Sequence, residues 1–332
     1  MTTPSILSNA GPGGRVTEPS GPGPGGGRRT GRRPRPGRRR ALAIFLTPSL
    51  LLFLLLVLAP IVVASYASLY KWNGFGLPEN FIGLDNYTRA FADPVFRGDL
   101  WHGLVLIVLS LVVQLPVAMG LAMLLNQPLR GRAVYRVIFF APYVLSEVTT
   151  AVLFKLVFSP NRGFGDAISR FLGADAGAVF ADPDTVLYAV FLVVSWKYFG
   201  LYMILFLAAR QNIPKELNEA AVTDGASAWQ AFRHVTLPLL GPTIRISVFL
   251  SVIGTIQLFD MVWVLTGGGP IHASETMAVT MFQYGFRRFE VGYASAISII
   301  MFLLSLVFAL IYQRIVLRRD TEGALTVQGD QR

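Results

Sequence analysis

Six separate stretches of this chain are long and apolar enough to cross a hydrocarbon layer about 30 Å thick, which takes about 20 residues of helix. They lie near residues 41–70, 100–125, 134–158, 185–209, 242–265 and 292–316. Lipid offers the backbone no hydrogen-bond partners, so each stretch is predicted to be a helix. Composition agrees: 53% of the 332 residues are hydrophobic and only 14% are charged, against about 25% in a soluble protein. The expected fold class is an all-α membrane protein with six transmembrane helices. The chain divides into a tail at 1–40, a six-helix domain at 41–317 and a second tail at 318–332. Residues 1–40 are Gly, Pro, Ser and Arg with almost no large apolar side chains, a composition that predicts disorder.

The formal net charge of +10 raises the question of a nucleic-acid partner, and its distribution argues against one. Eight arginines sit between Arg28 and Arg40, so the excess belongs to one tail. The apolar stretch that follows, Ala41 to about Leu69, is too long for the h-region of a cleaved signal, about 7–15 residues. Arg130, Arg132 and Arg136 mark one loop, Arg210, Lys215 and Arg233 another, and Arg314, Arg318 and Arg319 the C-terminal end. The alternate loops are mixed or acidic: Glu79, Asp85, Asp93 and Asp99, then Asp166, Asp175, Asp182 and Asp184. This bias predicts that both termini face the cytoplasm. Arg287 and Arg288 fall on the outer side as an exception, near Glu290. The chain has no cysteine, which excludes disulfides and thiolate sites. His102, His234 and His272 are too far apart in sequence to form a local metal motif.

Between the fourth and fifth apolar stretches lies a polar segment, 213–238. Pro214 suits the first turn of a helix. Leu217, Ala220, Ala221 and Asp224 follow at helical spacing and leave one face small and mostly apolar. Gly225 is placed to end that helix in a left-handed conformation. Ser227 with Gln230 three residues on reads as a capping box that starts a second helix. Trp229, Phe232 and Val235 line one face of it, and Leu237-Pro238 is expected to end it.

The same residues carry a resemblance. Glu219-Ala220-Ala221, then Gly225, Val235 and Leu237-Pro238, with their spacing, resemble the EAA loop of binding-protein-dependent ABC importer permeases; the family pattern prefers Ile where this chain has Val235. The segments Phe81-Ile-Gly-Leu-Asp-Asn-Tyr87 and Leu265-Thr-Gly-Gly-Gly-Pro270 are similar to those of the carbohydrate-uptake group, the maltose- and glycerol-phosphate-type permeases. The resemblance covers about 41–317. It implies a type I-like permease bundle in a bacterial cytoplasmic membrane, importing a sugar or sugar derivative by alternating access. It also implies that Glu219, Ala220, Ala221, Asp224, Gly225, Leu237 and Pro238 form a cytoplasmic coupling helix and its turn. The implied partners are a second homologous permease, two ATPase subunits that use ATP and magnesium, and an extracytoplasmic solute-binding protein.

Ionisable groups within apolar stretches cost about 2.5–3.5 kcal/mol each by insertion scales, so those present here are candidates for a pathway. Glu147 and Lys197 fall at similar depth, as do Lys155 and Asp260, which predicts two interhelical ion pairs, lining the pathway or purely structural. Sugar rings bind aromatic faces and hydrogen-bonding groups. Trp196, Tyr198, Tyr202, Gln257, Trp263 and Tyr284 are candidates, with Trp263 also placed as an interfacial anchor. No P-loop, nucleophile elbow or dinucleotide fingerprint is present. The chain is therefore expected to be no enzyme and to bind no cofactor or metal, with ATP hydrolysed by a partner. Two alternatives remain at this stage: a permease for an amino acid, peptide or anion, and an ion-coupled secondary transporter.

Overall fold

The structure, a computed structural model, describes residues 36–158 and 178–317. Of the tail expected at 1–40, residues 1–35 lie outside the described residues, as do the tail expected at 318–332 and the loop residues Asp166 and Asp175. The first helix, α1 (Pro36–Phe53), begins inside the segment assigned to the tail. Proline is favoured at a first helical position, where its missing N–H costs nothing. By internal contacts the chain divides into two units, one ending at Leu54 and the other starting at Leu55.

Among its described residues the second unit is helical, with one isolated bridge between Tyr70 and Phe81. Its helices are α2 (Ala59–Ala67), α3 (Asp85–Ala92), α4 (Pro94–Leu109), α5 (Leu115–Leu125), α6 (Arg132–Val144), α7 (Glu147–Val157) and α8 (Val186–Gln211). Then come α9 (Lys215–Thr223), α10 (Ala228–Ala231), α11 (Leu237–Leu239), α12 (Gly241–Ile256), α13 (Asp260–Leu265), α14 (Met277–Phe282) and α15 (Val291–Tyr312). Among the described residues four continuous helical stretches, 44–67, 94–125, 186–211 and 291–316, suffice to cross a membrane. Two bent pairs raise the number to six, the number expected.

The bends were not expected. The third span is not one helix over 134–158: α6 and α7 meet at an angle of 100°. Leu145 (φ −66°, ψ 147°) and Ser146 (φ −66°, ψ 153°) are both extended. Pro142 sits one turn before the break, and the Ser146 side chain accepts from the Thr149 N–H at 3.0 Å, restarting the helix as α7. The fifth span, expected over 242–265, is also interrupted. It stops at Ile256 and resumes at Asp260. The segment before it continues through Pro238 rather than ending there, because a π turn at Phe232–Thr236 places Pro238 in the first turn of α11, where no N–H is needed. The chain then bends by 65° into α12.

Packing follows membrane rules, in which small side chains let helices approach. Ala118 and Ala122 of α5 are fully buried against Met203 and Phe206 of α8. A Cβ on Gly200 would lie 2.0 Å from the Phe139 carbonyl oxygen, so the α6–α8 crossing requires glycine there. A second cluster joins Ala151 of α7 to Val190 and Val193 of α8 and to Met261, Val262 and Leu265 of α13. A third joins Phe96, Ile256, Tyr293 and Ile297.

Candidate functional site

The two broken spans face each other across a cavity of about 350 Å³. Tyr143 and Glu147 line it from one break, and Gln257 and Leu258 from the other. Both breaks leave backbone carbonyls without helical partners, and side chains satisfy them. Lys197, buried on α8, donates to the carbonyl oxygens of Leu145 and, at 3.4 Å, of Tyr143. Thr276 donates to the Leu258 carbonyl oxygen at 2.8 Å. Discontinuous helices of this kind are where a membrane protein can afford polar backbone at depth.

The other walls come from α4, α5, α8 and α12. Tyr198 donates its hydroxyl to Glu147 Oε1. Ser251 donates to Ser110 at 2.8 Å, and Ser110 donates in turn to Gln114 Oε1. The Gln114 Nε2 amide is buried and has no partner. Ser110 and Gln114 bound a π turn, Ser110–Gln114, between α4 and α5, a local widening often found at functional sites. Tyr202 and Thr255 complete the polar lining. The result is a chamber with one carboxylate, three tyrosines and a row of hydroxyl and amide groups.

Of the residues singled out from sequence, Glu147, Tyr198, Tyr202 and Gln257 line this chamber. Lys197 stands behind it, but the predicted Glu147–Lys197 ion pair does not form. Among the described residues the ion pairs are Arg89–Glu290 and His272–Glu275. Lys197 is drawn to the freed carbonyls of the break, and Glu147 turns to Tyr198. The Lys155–Asp260 pair is likewise absent: both side chains are exposed, and α7 meets α13 through Ala151, Met261 and Val262. Asp260 instead opens α13, where a carboxylate favours the positive helix end. Trp196 packs edge-on against Phe154 at 5.0 Å, away from the chamber. Trp263 lies among Phe259, Phe282 and the Arg287 guanidinium.

Sequence reading missed Ser110, Gln114, Tyr143, Ser251 and Thr255. A serine, a glutamine and a following proline (Ser110, Gln114, Pro116) inside one apolar run were the available signal.

Beyond the chamber, Tyr284 belongs to a separate rim. Arg89 pairs with Glu290 at 2.5 Å and lies over the Tyr293 ring at 4.2 Å, while Arg288 covers Tyr284 at 4.4 Å. The Glu290 carboxylate beside Arg89 holds its guanidinium above its ordinary pKa. Burial pushes the Tyr284 phenol up. On α14, Thr280 bridges two buried carboxylates, Asp99 at 2.5 Å and Glu275 at 3.0 Å. Among the described residues no group of three or more acidic or histidine side chains has metal-site geometry.

The 213–238 segment is a second, contrasting site. Pro214 (φ −54°, ψ 137°) precedes α9 rather than entering it. Gly225 has φ +83°, the Ala226 N–H reaches the Ala221 carbonyl at 2.9 Å, and the Gly225 N–H reaches Val222 at 3.0 Å. That is the predicted left-handed stop. The Ser227–Gln230 capping box is present with both of its bonds, at 2.8 and 3.3 Å. Thr236 donates to Asn218 Oδ1 at 3.2 Å, tying the second arm to the first. Glu219, Ala220, Asp224, Gly225 and Pro238 are exposed, and Ala221 and Leu237 are half-buried. Leu217, Val222 and Trp229 also stand out from the surface, Trp229 stacked on Phe232 at 5.5 Å.

Residues 114–321 match the family described as "Binding-protein-dependent transport system inner membrane component". The chain is 31% identical to the sulfoquinovosyl glycerol transport system permease protein SmoG of Agrobacterium fabrum, over 86% of this chain and 92% of that one. It is 32% identical to the trehalose/maltose transport system permease protein MalF of Thermococcus litoralis, over 82% and 92% respectively. Its fold is similar to a chain in the crystal structure of a bacterial ABC transporter that imports the acidic polysaccharide alginate. That likeness has a TM-score of 0.74 and 23% identity, covering 85% of this chain and 96% of the other.

Proposed function

Because the chain belongs to the family of binding-protein-dependent inner membrane transport components, we propose that it carries a sugar or sugar derivative into the cytoplasm through the chamber between its two broken spans. The observation that carries this is the chamber's lining: a carboxylate, three tyrosines and a ring of hydroxyl and amide groups, in a chain whose relatives include permeases named for trehalose, maltose and sulfoquinovosyl glycerol. Tyrosine faces suit the C–H patches of a sugar ring, and the polar groups suit its hydroxyls.

Energy enters at the hairpin. Glu219, Ala220, Ala221, Asp224 and Gly225, with Leu237 and Pro238, dock into a cleft of a separate ATPase subunit. Ala220 and Ala221 let α9 sink close to the partner, and Glu219 offers a carboxylate to its donors. Gly225 sets the turn between the two arms. ATP and magnesium are used by that partner, and closure of two such ATPases moves the bundle as rigid bodies. Work is transferred because sugar and ATPase favour different states of one switch. The remaining partners are a second, homologous permease and an extracytoplasmic solute-binding protein. The loop charges support a cytoplasmic hairpin and two cytoplasmic termini.

Proteoliposomes holding this chain with its partner permease and ATPases, and supplied with the sugar selected by its cognate binding protein, test the reading. Uptake should require both ATP and the binding protein. Uptake that persists without ATP and follows a sodium or proton gradient would point to an ion-coupled transporter instead. A binding protein that selects an amino acid or an anion would remove the sugar.

A further inference from the structure

A lysine in the middle of a membrane helix needs a reason, and here the candidates are few. Lys197 is 3% exposed, forms no ion pair with Glu147 and is not itself one of the residues that line the chamber. Its ammonium instead donates to the carbonyl oxygens of Tyr143 and Leu145, at the end of α6 and in the extended link that follows. It also lies 6.0 Å from the Tyr143 ring centre and 5.5 Å from that of Tyr198. The end of a helix leaves carbonyls without partners and carries partial negative charge, and a cation there is favoured on both counts. One turn along α8 from Lys197, Gly200 lets the Phe139 backbone come into direct contact. So α8 grips the end of α6 twice, once by shape and once by charge. The residues on either side of that grip, Tyr143 and Glu147, are the ones the third span contributes to the chamber.

We infer that Lys197 is a positioning residue: its ammonium holds the third span broken at Leu145–Ser146 and so keeps Tyr143 and Glu147 aimed into the chamber, without itself contacting the transported molecule. Its importance for uptake rests on the transport reading; the geometric claim does not, and the two can fail separately.

The absence of cysteine in this chain makes the geometry measurable without background labelling. Spin labels on cysteines replacing Val137 of α6 and Leu156 of α7, both well exposed, report the distance across the break by double electron–electron resonance. The full chain is used, in lipid nanodiscs. With Lys197 present a single narrow distance is expected. Lys197→Met should broaden or shift it, because the break loses the cation that fixes it. Lys197→Arg should restore the narrow peak. A control pair at Val117 of α5 and Leu192 of α8 should be unaffected. If Lys197→Met does not accumulate in the membrane, Lys197→Gln, which keeps one donor but no charge, should give a partial broadening. An unchanged peak in the Met or Gln variant overturns the proposal, and so does equal broadening of the control pair, which would mean general loosening.

Discussion

The hairpin at 213–238 and the chamber differ in how they are built, and the difference explains what each can do. The bonds at the hairpin's elbow are local, Ala226 to Ala221, Gly225 to Val222, and Ser227 with Gln230, and the Thr236–Asn218 bond that ties its arms spans only 18 residues. The chamber is joined across long separations: Tyr198 to Glu147 spans 51 residues, and Ser251 to Ser110 spans 141. A locally specified, exposed element keeps its shape while the rest of the molecule moves, which suits a handle on which a partner pulls. A site assembled from distant segments changes shape when those segments move, which suits the proposed role of a chamber that opens alternately to two sides. Variants in the two regions should therefore fail differently.

The largest effect is expected at Gly225. Its φ of +83° lies in the left-handed region, and a Cβ there would meet nothing within 4 Å. Any penalty is therefore conformational, about 1–2 kcal/mol for an ordinary residue and more for a β-branched one. Gly225→Val should reduce ATP-driven uptake to background while the protein still inserts, and Glu219→Lys should do the same by reversing the exposed charge. Gly225→Asn, which tolerates that conformation, should keep most of the activity. If the valine variant transports normally, the hairpin is not where work enters.

Next comes Glu147. A hydrogen bond to a charged group contributes about 1.5–3 kcal/mol, so Glu147→Gln should raise the half-saturating sugar concentration by roughly tenfold or more. Tyr198→Phe should shift it in the same direction. In both, ATPase activity of the assembled transporter should still respond to the binding protein. Loss of that response with unchanged sugar affinity would erase the contrast between handle and chamber.

How each region was legible follows from the same contrast. Gly225, Ser227 and Gln230 announce themselves because capping chemistry is a matter of spacing along the chain. The six apolar stretches announce themselves because lipid permits little besides helix. The breaks at Leu145–Ser146 and Gln257–Phe259 were hidden inside apolar runs of correct length. The first had a local signal, Pro142 followed by Ser146 and Thr149, which hydropathy overrides. The Glu147–Lys197 ion pair was inferred from depth alone. Depth says which groups are level, whereas the freed carbonyls at a break decide which partner a lysine takes. Likewise Lys155 and Asp260 are level without being paired, because the contacting faces of α7 and α13 are apolar.

A third test addresses the scaffold between the two regions. Gly200→Ala would bring a methyl group to about the position now 2.0 Å from the Phe139 carbonyl oxygen. Overpacking of this kind costs typically about 1–3 kcal/mol, and backbone cannot rotate aside as a side chain can. The variant should unfold at lower temperature in detergent, with the hairpin's partner affinity unchanged. A Gly200→Ala protein as stable as the parent would mean that α6 and α8 do not cross so closely.

The smallest effect is expected at Ser227, and it bears most directly on whether the hairpin is self-sufficient. Ser227→Ala removes one arm of the capping box and leaves the Gln230 side chain bonded to the Ser227 backbone. Loss of an N-cap hydroxyl costs about 1 kcal/mol, here charged to α10, a helix of only four residues that also leans on the Thr236–Asn218 bond. Amide hydrogen exchange at Gln230 and Ala231 should accelerate by about fivefold, with exchange in α9 and the sugar affinity unchanged. Should α9 accelerate equally, the two arms form one cooperative unit, and the hairpin would transmit strain as a whole. Should neither change, the turn is held by the Gly225 stop and the Thr236–Asn218 bond alone, and the capping box contributes only to how the second arm first forms.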